Sequence, residues 1–287
     1  SVVWLTLIGV VVLVVGYFVV LPQLGRSVQA VPVAGLAGDA KSGEYLAIAA
    51  GCLTCHTNYK KKGKQLAGGP ALKTPFGTFY GPNITPDENY GIGSWTLEQL
   101  SDSLTAGISP EGNHYFPSFP YTSYGAMKPQ DVADIKSYLD SVPPIGTPSR
   151  PHDLPWPFSD RNVLGAWKLL NFKPNRAGDM SRGAYLVNVL GHCAECHTQR
   201  DLLGGKSGRP LAGNTNGPGG AKVPGLRRLS TDGQPWTADN IKLSLQVGMK
   251  PNGDFLGDTM AEVVAHSTGK LSDEDRAAIA NYLVGLN

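Results

Sequence analysis

The sequence predicts a mainly α-helical chain in which one membrane-spanning helix precedes two tandem copies of a small domain. Three observations carry this expectation. Residues Val2 to Val20 are almost wholly apolar, with no charge before Arg26. The stretch Cys52-Leu53-Thr54-Cys55-His56 returns as Cys193-Ala194-Glu195-Cys196-His197. The likeness also runs past these stretches. At a shift of 141 residues Trp95-Thr96 falls on Trp236-Thr237, Leu104 on Leu245, Gly107 on Gly248, Pro110 on Pro251 and Gly112 on Gly253. Farther on the shift becomes 144, placing Asp131 on Asp275, Ile135 on Ile279 and Tyr138-Leu139 on Tyr282-Leu283. Self-similarity at a fixed period marks repetition of one structural unit.

Taken in chain order, the apolar run comes first. At 1.5 Å per residue it spans about 30 Å, the thickness of a bilayer core. Trp4 and Tyr17 stand near its ends, where interfacial aromatics belong. Val28-Gln29-Ala30 resembles a small-residue cleavage site, but the run is longer than a usual signal core, so an uncleaved anchor over residues 1–26 is expected. The first domain is expected over 27–142. A short helix from Gly43 to Ala50 leads into the first cysteines, a second covers Trp95 to Leu104, and an amphipathic helix from Lys128 to Val142 closes the unit. Prolines 143, 144, 148, 151, 155 and 157 then exclude regular helix and predict a semi-rigid linker over 143–177. Val163, Ala166, Trp167 and Leu170 recur at helical spacing within it. The second domain is expected over 178–287, with helices at Gly183–Leu190, Trp236–Val247 and Ser272–Leu286. Ser272 is the N-cap of the last, ahead of an acidic first turn.

C-x-x-C-H is the attachment signature of a c-type haem. The two thiols bond to the vinyl groups of one porphyrin, and the adjacent imidazole reaches the iron from the same side. Cys52, Cys55 and His56 form one candidate set; Cys193, Cys196 and His197 form the other. All four cysteines of the chain are used. A four-cysteine zinc site usually spaces its pairs about 15–20 residues apart, far less than here. A simple electron carrier needs a sixth iron ligand, usually Met or a second His. Met127 precedes the last helix of the first copy and Met260 that of the second, making them the candidates; His114 and His266 are the rivals. The two methionines are not at equivalent positions, since Met127 falls on Leu271. Met180, Met249 and His192 read as packing or structural residues. Lys60, Lys61, Lys62 and Lys64 form a basic loop after the first motif, a solvated loop or a docking patch for an acidic partner. A net charge of +2 gives no reason to expect nucleic acid as a partner.

From about Gly43 onward the chain resembles the membrane-associated cytochrome c subunits of bacterial periplasmic dehydrogenases for alcohols, gluconate and aldehydes. The resemblance rests on Gly69-Pro70 with Thr74-Pro75-Phe76-Gly77-Thr78, Asn83-Ile84-Thr85-Pro86-Asp87, Gly91-Ile92-Gly93-Ser94-Trp95 and Phe119-Pro120-Tyr121-Thr122-Ser123-Tyr124 with Met127. It continues through Asp153-Leu154-Pro155-Trp156-Pro157-Phe158 with Arg161 and Trp167, and Met260-Ala261-Glu262-Val263-Val264. It implies two tandem cytochrome c-like domains, here with two covalently bound haem c groups where family members often carry three. The Asn-Leu-Thr usual in the second domain of the family is replaced here by Gly225-Leu226-Arg227. The resemblance further implies His/Met ligation and electron transfer rather than catalysis. The donor would be a periplasmic or membrane dehydrogenase or a quinol-oxidising complex, the acceptor a cytochrome or terminal oxidase. The expected setting is the bacterial inner membrane, crossed once, with the haem domains in the periplasm. The alternative is a dihaem redox enzyme of peroxidase or thiosulfate-oxidising type, which requires one open iron.

Overall fold

The computed structural model describes residues 2–174, 178 and 180–286 of the chain. The predicted linker ends at 177, among residues outside those described. The apolar run is helix α1 (Val2–Val15), continued by a wider turn over Gly16–Val20 and a tight one over Leu21–Gln23, where Pro22 fits the first turn of the tightened helix. The continuous helical stretch Val3–Gln23 has a mean hydropathy of 2.7, and none of its apolar window is buried in the folded body.

The first repeat is built from α2 (Ala40–Ala49), α3 (Cys52–His56), a hairpin of β1 (Ala71–Thr74) and β2 (Gly77–Tyr80), α4 (Leu97–Ser101), α5 (Tyr121–Tyr124) and α6 (Pro129–Ser141). Thr96 caps α4 in a reciprocal capping box with Gln99, so this helix starts two residues later than its hydrophobic pattern implied. The hairpin pairs Ala71 with Tyr80 and Thr74 with Gly77. Sequence reading missed it, because its strands are too short to show a period.

Then comes α7 (Leu164–Asn171) in the linker. The second repeat follows with α8 (Arg182–Tyr185), α9 (Ala194–His197), β3 (Ser230–Thr231), β4 (Gln234–Pro235), α10 (Ala238–Val247), α11 (Asp258–His266) and α12 (Asp273–Val284). Thr237 caps α10 through the same box, and Ser272 caps α12.

In each repeat the first helix crosses the last at a glycine. A Cβ on Gly43 would sit 1.9 Å from the Asp134 carbonyl oxygen, and one on Gly183 2.1 Å from that of Ala278. Only glycine permits so close a crossing. Leu46, Val132, Ile135 and Leu139 fill the interface in the first repeat, and Leu186, Ile279 and Leu283 fill it in the second.

The repeats pack on each other reciprocally. The Tyr45 hydroxyl donates to Asp275 (2.7 Å) and accepts from the Ser272 amide (3.0 Å), at the start of α12. The Tyr185 hydroxyl donates to Asp131 (2.6 Å) and accepts from the Lys128 amide (3.0 Å), at the start of α6. Each first helix therefore caps the other repeat's last helix, as in a two-fold dimer joined into one chain.

The linker is sewn onto the first repeat. The Asn83 amide donates to the carbonyls of Ile145 (2.7 Å) and Thr147 (2.9 Å), and Thr78 pairs with Asp153. Trp167 Nε1 also reaches the Leu203 carbonyl of the second repeat at 2.8 Å.

Candidate haem sites

Each motif forms one short helix reached by a left-handed residue, Gly51 (φ 69°) or His192 (φ 38°). Glycine adopts this conformation freely; at 192 a histidine does so. Its ring meets Tyr124 edge-on at 5.5 Å and lies close to Gly51.

The motif histidines share one arrangement. His56 Nδ1 lies 2.7 Å from the Pro82 carbonyl oxygen, and His197 Nδ1 lies 2.7 Å from that of Pro224. A carbonyl only accepts, so Nδ1 carries the proton in both rings and Nε2 keeps its lone pair. Such a second partner fixes both tautomer and orientation for metal ligation. Burial lowers the pKa of both imidazoles, with the proline carbonyls opposing.

The loop behind each motif is held equally. Thr57 Oγ1 accepts from the Leu66 amide and Thr198 Oγ1 from the Leu211 amide, both at 3.0 Å. The proline carbonyls were not found by sequence reading. Their signal was a proline at corresponding points of the two copies, Gly81-Pro82-Asn83 and Val223-Pro224-Gly225. Gly225 stands where the first repeat has Asn83, whose side-chain amide clamps the linker; a glycine has no side chain to make that contact.

The four cysteines are unpaired thiols, half-buried except for exposed Cys55. Burial pushes Cys52 and Cys193 up to about 12 and Cys196 to about 11. Among the described residues no three His, Cys, Asp or Glu side chains converge as a metal site. Paired thiols on one helical turn, with an imidazole whose Nε2 is free, fit a c-type haem in each repeat.

The two motifs lie near one another. Tyr124 OH donates to the Ala50 carbonyl (2.5 Å) just before α3, while its ring touches His192 just before α9. Glu195, inside the second motif, accepts from Thr122 Oγ1 (3.0 Å) and Ser123 Oγ (2.6 Å) of α5 and pairs with Arg200 and Lys206. Burial pushes its pKa up, but Lys206 and Arg200 outweigh this and hold it at about 2. It is a fixed anion between the repeats.

The candidate sixth ligands differ in setting. Met127 is 3% exposed within the central core, three residues after Tyr124. Met260 is half-buried on α11, a helix that packs against α3 of the first repeat. Met180 also lies against the core.

The rival histidines are engaged elsewhere. His114 Nε2 donates to the Pro22 carbonyl (3.1 Å), and His266 stacks on Tyr59 at 3.6 Å. The basic loop is not wholly free either, since Lys60 pairs with Glu262 at 3.3 Å.

The cytochrome c family model matches the chain twice, over residues 40–143 and 180–287. A diheme cytochrome c-type protein from Cereibacter sphaeroides is 47% identical over 260 residues, covering 87% of this chain and 86% of that one. The fructose dehydrogenase cytochrome subunit of Gluconobacter japonicus is 39% identical over 252 residues, covering 84% and 51% respectively. The cytochrome c subunit of the quinone alcohol dehydrogenase of Gluconobacter oxydans is 36% identical over 259 residues, covering 85% and 54%. The chain thus spans most of the first relative and about half of the other two. With a doubled family match and the haem-binding geometry in both repeats, the chain belongs to the cytochrome c family and is a member with two covalently bound haem c groups.

Proposed function

We propose that the chain is a membrane-anchored electron carrier, taking electrons from a periplasmic dehydrogenase or a quinol-oxidising complex and delivering them to a cytochrome or terminal oxidase. One observation carries this reading: two equivalent motif helices, each with its histidine held by a proline carbonyl, lie against each other through Tyr124 and His192. Bound haem supplies a one-electron iron couple at each of them. The protein's part is placement. His56 with Met127 would hold the iron of the first repeat, and His197 with Met260 that of the second. Such His/Met pairs raise the potential relative to two imidazoles. The Tyr45 and Tyr185 clamps hold the repeats in one arrangement.

The helix Val3–Gln23 is the single-pass anchor in the bacterial inner membrane, with the repeats in the periplasm. In support, the turn below it is built into the fold. Arg26 donates to the Gly112 carbonyl at 2.8 Å, and the Leu21 and Leu24 carbonyls lie against Gly165 of α7. The first repeat is then the one nearer the bilayer. The names of the dehydrogenase relatives support a dehydrogenase as donor.

A second reading, a redox enzyme with an open iron in the second repeat, has one observation in its favour: Met260 is less buried than Met127. Purification of the intact membrane complex separates the two. The carrier reading predicts that the co-purified dehydrogenase's substrate reduces both haems while the chain alone turns over neither peroxide nor thiosulfate. Rapid turnover of either by the chain alone contradicts it.

A further inference from the structure

The internal repeat allows the two copies to be compared surface by surface, and one corresponding surface is covered in the first repeat but open in the second. The loops after α4 and α10 match bond by bond. Ser103 Oγ donates to the Ile108 carbonyl and Ser244 Oγ to that of Met249. The Tyr115 amide donates to the Gly107 carbonyl (3.0 Å), and the Leu256 amide to that of Gly248 (2.7 Å). Ile108 bridges His114 as Met249 bridges Phe255.

What lies on top differs. In the first repeat, α7 and the turn below the anchor seal the loop. Lys168 is fully buried, and its ammonium donates to the carbonyls of Ala106 (2.7 Å) and Gly107 (2.9 Å). The Tyr121 ring lies against Gly107, and Phe172 packs on Tyr121 with ring centroids 5.3 Å apart. Arg26 covers Gly112, and His114 is held by Pro22.

In the second repeat the counterparts are bare. A Cβ on Gly248 or Gly253 would meet nothing within 4 Å. Val247 is 51% exposed where Ala106 is 2%, and Phe255 is 59% exposed where His114 is 3%. Beside them lies a cavity of about 360 Å³ lined by Val247, Phe255, Leu256, Ala261, Val264 and Ala265. The Lys270 side chain edges it, where the first repeat has Ala126.

We propose that this face docks a short helix of a partner protein subunit that covers the second repeat as α7 covers the first. The occupant's chemistry follows from α7. It presents a small residue at the closest approach, as Gly165 does, and three residues on a lysine or other N–H donor for the Val247 carbonyl. Four residues beyond that comes an aromatic or large apolar side chain for the cavity, as with Phe172. Lys270 adds a requirement absent from the first repeat, an acceptor on the occupant opposite the ammonium. Docked there, the partner contacts the second repeat away from its motif helix, so failure of this proposal leaves the electron-transfer reading standing.

The test uses the full chain with both haems and, as probe, a fluorescent peptide of residues 161–174 of this sequence, which carries the α7 pattern. Anisotropy should show saturable binding. Filling the cavity by Ala265→Trp should weaken it at least tenfold, as should Lys168→Met in the peptide, which removes the hydrogen-bond donor for the Val247 carbonyl. Unchanged haem spectra in Ala265→Trp show that the variant folds. Absence of saturable binding, or binding indifferent to Ala265→Trp, overturns the proposal. So does a photo-crosslinker at position 255 that, in native membranes, joins two copies of this chain or labels lipid.

Discussion

The reciprocal clamp between the repeats predicts an asymmetry that two substitutions can measure. Tyr185→Phe removes a hydroxyl that donates to Asp131 at 2.6 Å and accepts from the Lys128 amide at 3.0 Å. The ring is 1% exposed. A hydrogen bond to a charged group is worth about 1.5–3 kcal/mol, and a lost helix cap typically about 1 kcal/mol. Asp131 is half-buried and recovers part of this from water, so the expected cost is about 2–3 kcal/mol. Tyr45→Phe removes the matching bonds to Asp275 and the Ser272 amide. There Arg182 holds the same carboxylate through two hydrogen bonds, at 2.8 and 2.6 Å, and Ser272 still caps α12 with its own side chain. That loss is cushioned to about 1 kcal/mol. Urea unfolding of the haem-loaded chain, followed at both haems, gives the two values. Both repeats should lose stability together in Tyr185→Phe, because the bond spans them. A cost for Tyr45→Phe equal to or above that of Tyr185→Phe would refute the reasoning, as would a Tyr185→Phe effect confined to one repeat.

Gly165→Val would place a Cβ 2.4 Å from the Leu21 carbonyl oxygen and 2.5 Å from that of Leu24. The turn below the anchor must lift, at about 1–3 kcal/mol, and trypsin should cut after Arg26 faster than in the parent chain. His114 has its pKa lowered to about 4, chiefly by burial, with Lys168 and Arg26 adding to the effect. Arg161 also faces it, donating to its carbonyl. The unfolded chain binds this proton below about 6.5, so stability is full above that value and falls by up to about 3 kcal/mol as pH drops towards 4. His114→Asn should flatten that part of the pH–stability profile. Charge reversal of Lys61, Lys62 and Lys64 should slow transfer to the acceptor and flatten its salt dependence while leaving reduction by the donor intact. Lys60 is omitted because Glu262 engages it.

The sequence carried the repeat and the chemistry of the two motifs openly, since both depend on residue identity at fixed spacing. Long amphipathic helices were legible for the same reason: the face formed by Val132, Ile135 and Leu139 declares itself every three or four residues. What stayed hidden was held by main-chain atoms or by contacts distant in sequence. The Pro82 and Pro224 carbonyls act through their backbone, so no residue type announces them. Tyr45 and Tyr185 read as ordinary helix residues, because their partners lie 230 and 54 positions away. Lys60 read as part of an exposed basic loop, and only the fold brings Glu262 to it. The hairpins, of four and two residues per strand, are too short to show alternation.

The central claim is that each repeat holds its iron between a motif histidine and a methionine. Near-infrared magnetic circular dichroism of the oxidised chain reads this directly through the weak methionine-to-iron band. With Met127 and Met260 as the ligands, the band should fall to half its intensity in Met127→His and in Met260→His and vanish when both are changed, with two haems still bound per chain. A band that keeps full intensity in either single variant would remove that methionine from the iron and contradict the account.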